Sequence, residues 1–177
     1  MKKIVLIFVA AVSVASCSFM DRKKATDYNN EIVTEQSKII KSVFELVNIM
    51  QTSDSLAAQQ KREELVTMVD AAIKKADALS YNGDDKGMKE GYQKLLQYYK
   101  KTMSEDYAQI IAISFDKNAD ADDAQLIQDK VSEIASAERV LDEKFQAAQK
   151  AFAKAHDMEV QENELQQKID EINSETN

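Results

Sequence analysis

The chain has no proline and no tryptophan, one cysteine, one histidine, and three glycines confined to Gly83, Gly87 and Gly91. Each scarcity removes a class of structure. Sandwiches and barrels need frequent turns built on glycine and proline, so a strand-rich fold is excluded. Without proline little interrupts a helix, and the chain is rich in Ala, Lys, Glu, Gln and Leu, which favour one. A single cysteine cannot close an internal disulfide, and a single histidine with no cysteine nearby makes a poor zinc site. The expected fold class is all-α.

Charge narrows the partners. The net charge is −8, and a phosphate backbone demands a basic face, so nucleic acid is not an expected partner. An anionic membrane surface would repel the same domain. Hydrophobic residues still make up 44% of the chain, enough to build a core beneath a surface whose charged residues reach 31% of the total.

The cysteine stands where it carries most information. Met1-Lys2-Lys3 is a basic start, Ile4 to Val14 an apolar run too short to span a bilayer comfortably, and Ala15-Ser16 are small residues of the kind found at signal cleavage sites. Val14-Ala15-Ser16-Cys17 resembles a bacterial lipobox. That resemblance implies a signal peptide over 1–16, cleavage before Cys17, and acylation of Cys17, with the membrane as partner through that lipid. Several acyl chains hold a protein firmly where a single one would not. A plain secretory signal and an uncleaved anchor helix are the rival readings. Ser18 is not the aspartate that retains a lipoprotein in the inner membrane under the Gram-negative sorting rule. The outer membrane, on its periplasmic or surface face, is therefore the favoured destination. About 161 residues remain after cleavage, a size suited to one domain. Polar residues 17–26 read as lipidated cysteine and tether, 27–173 as helical bundle, and 174–177 as a disordered tail.

Apolar residues recur at helical spacing through the rest. The first helix is expected over Thr26 to Gln51, with Ile32, Ile39, Val43, Leu46 and Met50 on one stripe. Asp54 and its hydroxyl neighbours can cap a second helix, Ser55 to Leu79, striped by Leu65, Val69, Ala72, Ala76 and Leu79. Asn82-Gly83 tolerates positive φ, and Asp84-Asp85 can cap a third helix over Lys86 to Ser114. Its stripe is Met88, Tyr92, Leu95, Tyr99, Met103, Tyr107 and Ile110. A fourth helix is expected from Asp123 to Ile172, with Asp122 and Gln125 as its capping box. Near His156 its rhythm slips: Met158, Leu165, Ile169 and Ile172 lie out of phase with Ala155, which calls for overwinding or a bend. Short connections join antiparallel neighbours, so the expected architecture is an up-down-up-down four-helix bundle with a long, bent or projecting C-terminal helix. That end, Glu159 to Glu175, either seeks a protein partner or folds back.

Candidate chemistry is thin. Asp116 to Asp122 spaces its oxygens like a calcium loop, but Ala121 replaces the turn glycine and Ile127 the bidentate glutamate, so helix capping is the favoured role. His156 has no Glu-x-x-His partner, because Ala153 stands three residues before it; it reads as a surface histidine. Tyr92 and Tyr99 read as core and Tyr98 as exposed. Lys86, Lys89, Lys94, Lys100 and Lys101 read as a solvated face. No nucleophile motif or phosphate loop is present, and adjacent carboxylates such as Glu63-Glu64 diverge around the helix. No enzyme activity, cofactor or metal is expected. The rival to a plain interaction module is a bundle that encloses a small ligand with Met50, Tyr92, Tyr99 and Phe145.

Three stretches carry a family resemblance: Ser80-Tyr81-Asn82-Gly83-Asp84-Asp85, Leu95-Leu96-Gln97-Tyr98-Tyr99-Lys100 and Asp106-Tyr107-Ala108-Gln109-Ile110-Ile111. Together with the lipobox they resemble an uncharacterised family of bacterial surface lipoproteins. The resemblance implies an exported, helical, lipid-anchored protein and carries over no site residue.

Overall fold

A computed structural model describes residues 10–14, 19–52 and 54–162. Cys17, the projected stripe residues Leu165, Ile169 and Ile172, and the 174–177 tail lie outside the described residues. The described chain is an all-α bundle of four packed helices with one short two-stranded ribbon. Its elements are β1 (Ala10–Val14), α1 (Phe19–Ile49), α2 (Ser55–Ala78), α3 (Met88–Lys101), a π-helical turn (Thr102–Asp106), α4 (Tyr107–Ser114), α5 (Ala121–Ala155) and β2 (Met158–Glu162). The segments α3, π turn and α4 run on as the third helix.

Contacts between helices fix the up-down-up-down order. Lys61 of α2 pairs with Glu45 near the end of α1, while Lys75 meets Glu35 at 2.9 Å, so α1 and α2 are antiparallel. Gln93 reaches Asp77 and Lys100 reaches Asp70, which sets α3 against α2. Tyr99 bonds Glu138 and Tyr92 packs on Phe145, which sets α5 against α3. Gln149 donates to Asn29 Oδ1 at 2.8 Å and closes the ring between α5 and α1.

The core follows the expected stripes. Leu65, Val69, Ala72, Ala76 and Leu79 are all buried, as are Ile32, Ile39 and Leu46 on α1 and Met88, Tyr92, Leu95 and Tyr99 on α3. Gly91 stands where α3 meets α5: a Cβ placed there would lie 3.4 Å from the Phe145 Cα, so only a small side chain fits. Asp54 Oδ1 accepts from Ala57 N at 2.9 Å and starts α2 as expected.

Five expectations need correction. The tether of 17–26 is helical from Phe19 onward, because Arg22 and Ala25 are buried against the rest of the bundle. The capping box of α5 is Asp120 with Asp123, since Asp120 has the extended backbone of an N-cap and accepts from Asp122 N and Asp123 N. The third helix contains a π turn. There the Tyr107 N–H bonds back to the Thr102 carbonyl, and Arg62 Nη1 donates to the Met103 carbonyl at 3.2 Å. Tyr98 is half-buried, and its hydroxyl donates to the Ile134 carbonyl at 2.7 Å.

The last correction concerns the fourth helix. It stops at Ala155 instead of running to Ile172. The His156 N–H closes onto the Phe152 and Ala153 carbonyls, and Asp157 takes a left-handed conformation at φ 50°. The phase slip read around His156 is where the chain leaves the helix. A longer α5 would outrun its neighbours, whereas the turn buries Met158 on the end of the bundle. From there β2 pairs antiparallel with β1, with Val14 opposite Met158 and Ala10 opposite Glu162.

Candidate functional site

Two features stand out from the core: an open cleft at one end of the bundle and a polar seam inside it. The cleft lies where α1 begins, α5 ends and the α2–α3 loop passes. It encloses about 690 Å³ and is lined by Arg22, Tyr28, Tyr81, Asn82, His156 and Asp157, with Asp21, Lys24, Asp27 and Glu31 among its other walls. Aromatic packing builds its floor. Tyr81 stands edge-on to Phe152 at 5.0 Å and to His156 at 5.3 Å, and Tyr28 lies 5.1 Å from Tyr81. The Tyr81 hydroxyl sits 3.1 Å from His156 Nε2. His156 is therefore half-buried in an aromatic cluster, where the sequence suggested an isolated surface residue.

Asp85 secures this end. Its carboxylate accepts from the Tyr28 hydroxyl at 2.8 Å, from Gly87 N at 3.0 Å and from Lys89 N at 3.0 Å. Burial works to raise its pKa, but those hydrogen bonds outweigh it and hold the carboxyl below its usual range. Burial and the Asp85 charge together push the Tyr28 hydroxyl far above the ordinary phenol range. Lys89 Nζ caps the end of α2 by donating to the Asp77 and Leu79 carbonyls.

The polar seam runs between α1 and α5. Asn29 and Gln36 on α1, and Asp142 and Gln149 on α5, are each buried and each spaced by seven residues, so both pairs lie along one face of their helix. Asn29 bonds Gln149, which brings Gln36 and Asp142 to the same level. Neither amide atom of Gln36 has a hydrogen-bond partner in the protein. At the α3 side Glu138 is 2% exposed and accepts from the Tyr99 hydroxyl at 3.0 Å. Desolvation, with the neighbouring Asp142 charge, pushes the Glu138 carboxyl up to about 8, against the lowering effect of the Tyr99 hydrogen bond. At neutral pH it is mostly protonated.

The residues singled out from the sequence are dispersed. Tyr92, Tyr99 and Phe145 fill the core, and Met50 lies at the opposite end of α1 from the cleft, so these four do not enclose one cavity. In the acidic loop Asp116 Oδ1 accepts from Asn118 N at 2.8 Å and Asp120 caps α5. Lys86, Lys94 and Lys100 pair with Asp84, Glu90 and Asp70 at the surface. Among the described residues no group of three or more His, Cys, Asp or Glu side chains could hold a metal ion. Among them, too, no helix is long and apolar enough to cross a membrane. The cleft residues escaped a reading by stripes, because Arg22, Tyr81 and His156 meet only when the bundle closes. A scan against protein-family models and searches of curated proteins and of solved structures find no match for this chain.

Proposed function

We propose that this chain is a bacterial envelope lipoprotein: a non-enzymatic helical bundle, held by acylated Cys17 and acting as an interaction or structural module. The observation that carries the reading is Val14-Ala15-Ser16-Cys17 standing directly before the first helix. With α1 starting at Phe19, the lipid and the bundle are separated by Ser18 alone, so the end carrying the Arg22–Tyr81–His156 cleft faces the membrane. Anchoring then rests on the acyl chains, which suits a domain of net negative charge that an anionic bilayer repels. Ser18 favours the outer membrane. On this reading β1 leaves with the signal peptide, so the pairing of Val14 with Met158 belongs to the uncleaved chain.

The experiment is incorporation of labelled palmitate into wild type and Cys17→Ala, followed by membrane fractionation. Label confined to wild type, with the variant released from the membrane, supports the reading. An intact Met1 on an unlabelled, soluble chain refutes it.

A further inference from the structure

The end cleft contains a buried arginine, two of whose guanidinium nitrogens the protein leaves without a hydrogen-bond acceptor. In the uncleaved chain Arg22 is 5% exposed, and its Nε and Nη1 have no acceptor in the protein. Its nearest carboxylate is Asp157, 4.0 Å from Nη2, which is beyond hydrogen-bond reach, and that side chain is 86% exposed. A buried guanidinium in this state destabilises the fold unless an outside negative group completes it. The walls around it carry Asp21, Asp27, Glu31 and Asp157, with Lys24 as the second cation. A simple dianion is attracted by Arg22 and repelled by those four carboxylates. A ligand with an ammonium a few ångströms from its oxyanion satisfies both.

We propose that this cleft binds a phosphoethanolamine zwitterion, with its phosphate at Arg22 and its ammonium beside Asp27 and Glu31. The chemistry is shared by a membrane lipid headgroup and a free phosphomonoester. The lipid is the expected source, a choice that rests on the anchoring reading: Arg22 lies five residues after Cys17, at most about 18 Å of chain even when extended. A headgroup in the anchoring leaflet is within that span.

The test is calorimetric titration of the full chain, purified in non-ionic detergent, with three probes: O-phosphoethanolamine, inorganic phosphate, and micelles doped with phosphatidylethanolamine. O-Phosphoethanolamine should saturate the site and bind at least about ten-fold more tightly than inorganic phosphate, the difference that removal of a stabilised ammonium implies. Arg22→Met should abolish binding while raising the melting temperature by roughly 2–4 °C, because a buried guanidinium with unsatisfied N–H groups is replaced by an apolar chain. Loss of binding with a lower melting temperature would make Arg22 structural and overturn the proposal. So would undiminished binding by the variant, equal affinity for phosphate, or no binding by wild type. Saturation by the free compound but not by doped micelles overturns the lipid source. Cys17→Ala must bind O-phosphoethanolamine as wild type does, so the site stands or falls separately from the anchor.

Discussion

The hydroxyl of Tyr28 donates to Asp85 Oδ2 at 2.8 Å and joins the start of α1 to the loop that opens α3, 57 residues away. The same carboxylate holds Gly87 N and Lys89 N, so it acts as a tether and a helix cap together. Asp85→Ala should lower stability by about 2 kcal/mol at neutral pH, and Tyr28→Phe by about 1 kcal/mol. The pH dependence follows from the direction of the shift. The folded carboxyl sits below its usual 3.8, so its contribution is complete above that value and drains away as pH falls through the lower folded value. Urea unfolding followed by circular dichroism should find the Asp85→Ala deficit at pH 7 and a smaller one at acid pH.

Glu138 gives the opposite slope. Its folded carboxyl is raised from 4.5 to about 8, with Tyr99, Tyr98 and Tyr107 from the third helix and Asp142 from its own helix around it. Between those values the folded state holds a proton that the unfolded state has released. Stability therefore falls as pH rises from about 4.5 to about 8. Glu138→Gln keeps the acceptor for Tyr99 and removes the titration. It should match wild type near pH 5 and exceed it by about 1–3 kcal/mol at pH 8.5. Equal denaturation midpoints for the two proteins at the higher pH would show that Glu138 titrates normally.

These two carboxylates also mark what could be read in advance. The stripe of Leu65, Val69, Ala72 and Ala76, and the role of Asp85 before the third helix, depend on neighbours in sequence and were legible there, whereas Asp84 bonds Lys86 N in the loop and no residue of α3. The start of α1 was not. Asp21-Arg22-Lys23-Lys24 has the composition of a tether, and only the packing of distant elements buries Arg22. The seam was hidden for another reason: an apolar stripe reading passes over Asn29, Gln36, Asp142 and Gln149, although their seven-residue spacing is visible. The cleft combines Arg22, Tyr81 and His156, and no local pattern joins residues so far apart.

Gly91 tests how tightly α3 and α5 are packed. Alanine favours a helix over glycine by up to about 1 kcal/mol, and a Cβ at 3.4 Å from Phe145 makes ordinary van der Waals contact. The helical gain wins at that distance. Gly91→Ala should raise stability by about 0.5 kcal/mol, whereas Gly91→Leu must push α5 away and should cost about 2–3 kcal/mol. Thermal unfolding of the two variants should therefore shift in opposite directions.

Gln36 poses the sharpest question about the seam. It is fully buried, and both its amide oxygen and its amide nitrogen are without a partner in the protein. A buried amide that makes no hydrogen bond costs about 1–3 kcal/mol. Leucine has a similar size and nothing to desolvate, so Gln36→Leu should raise stability by about 1–2 kcal/mol. Asn29→Leu is the contrasting control, because it removes the Oδ1 that accepts from Gln149 Nε2 and should destabilise by about 1–3 kcal/mol. If Gln36→Leu instead weakens the fold, solvent satisfies that amide and the seam is hydrated. Urea midpoints of the two variants decide between a dry seam, which the burial of all four side chains supports, and a wet one.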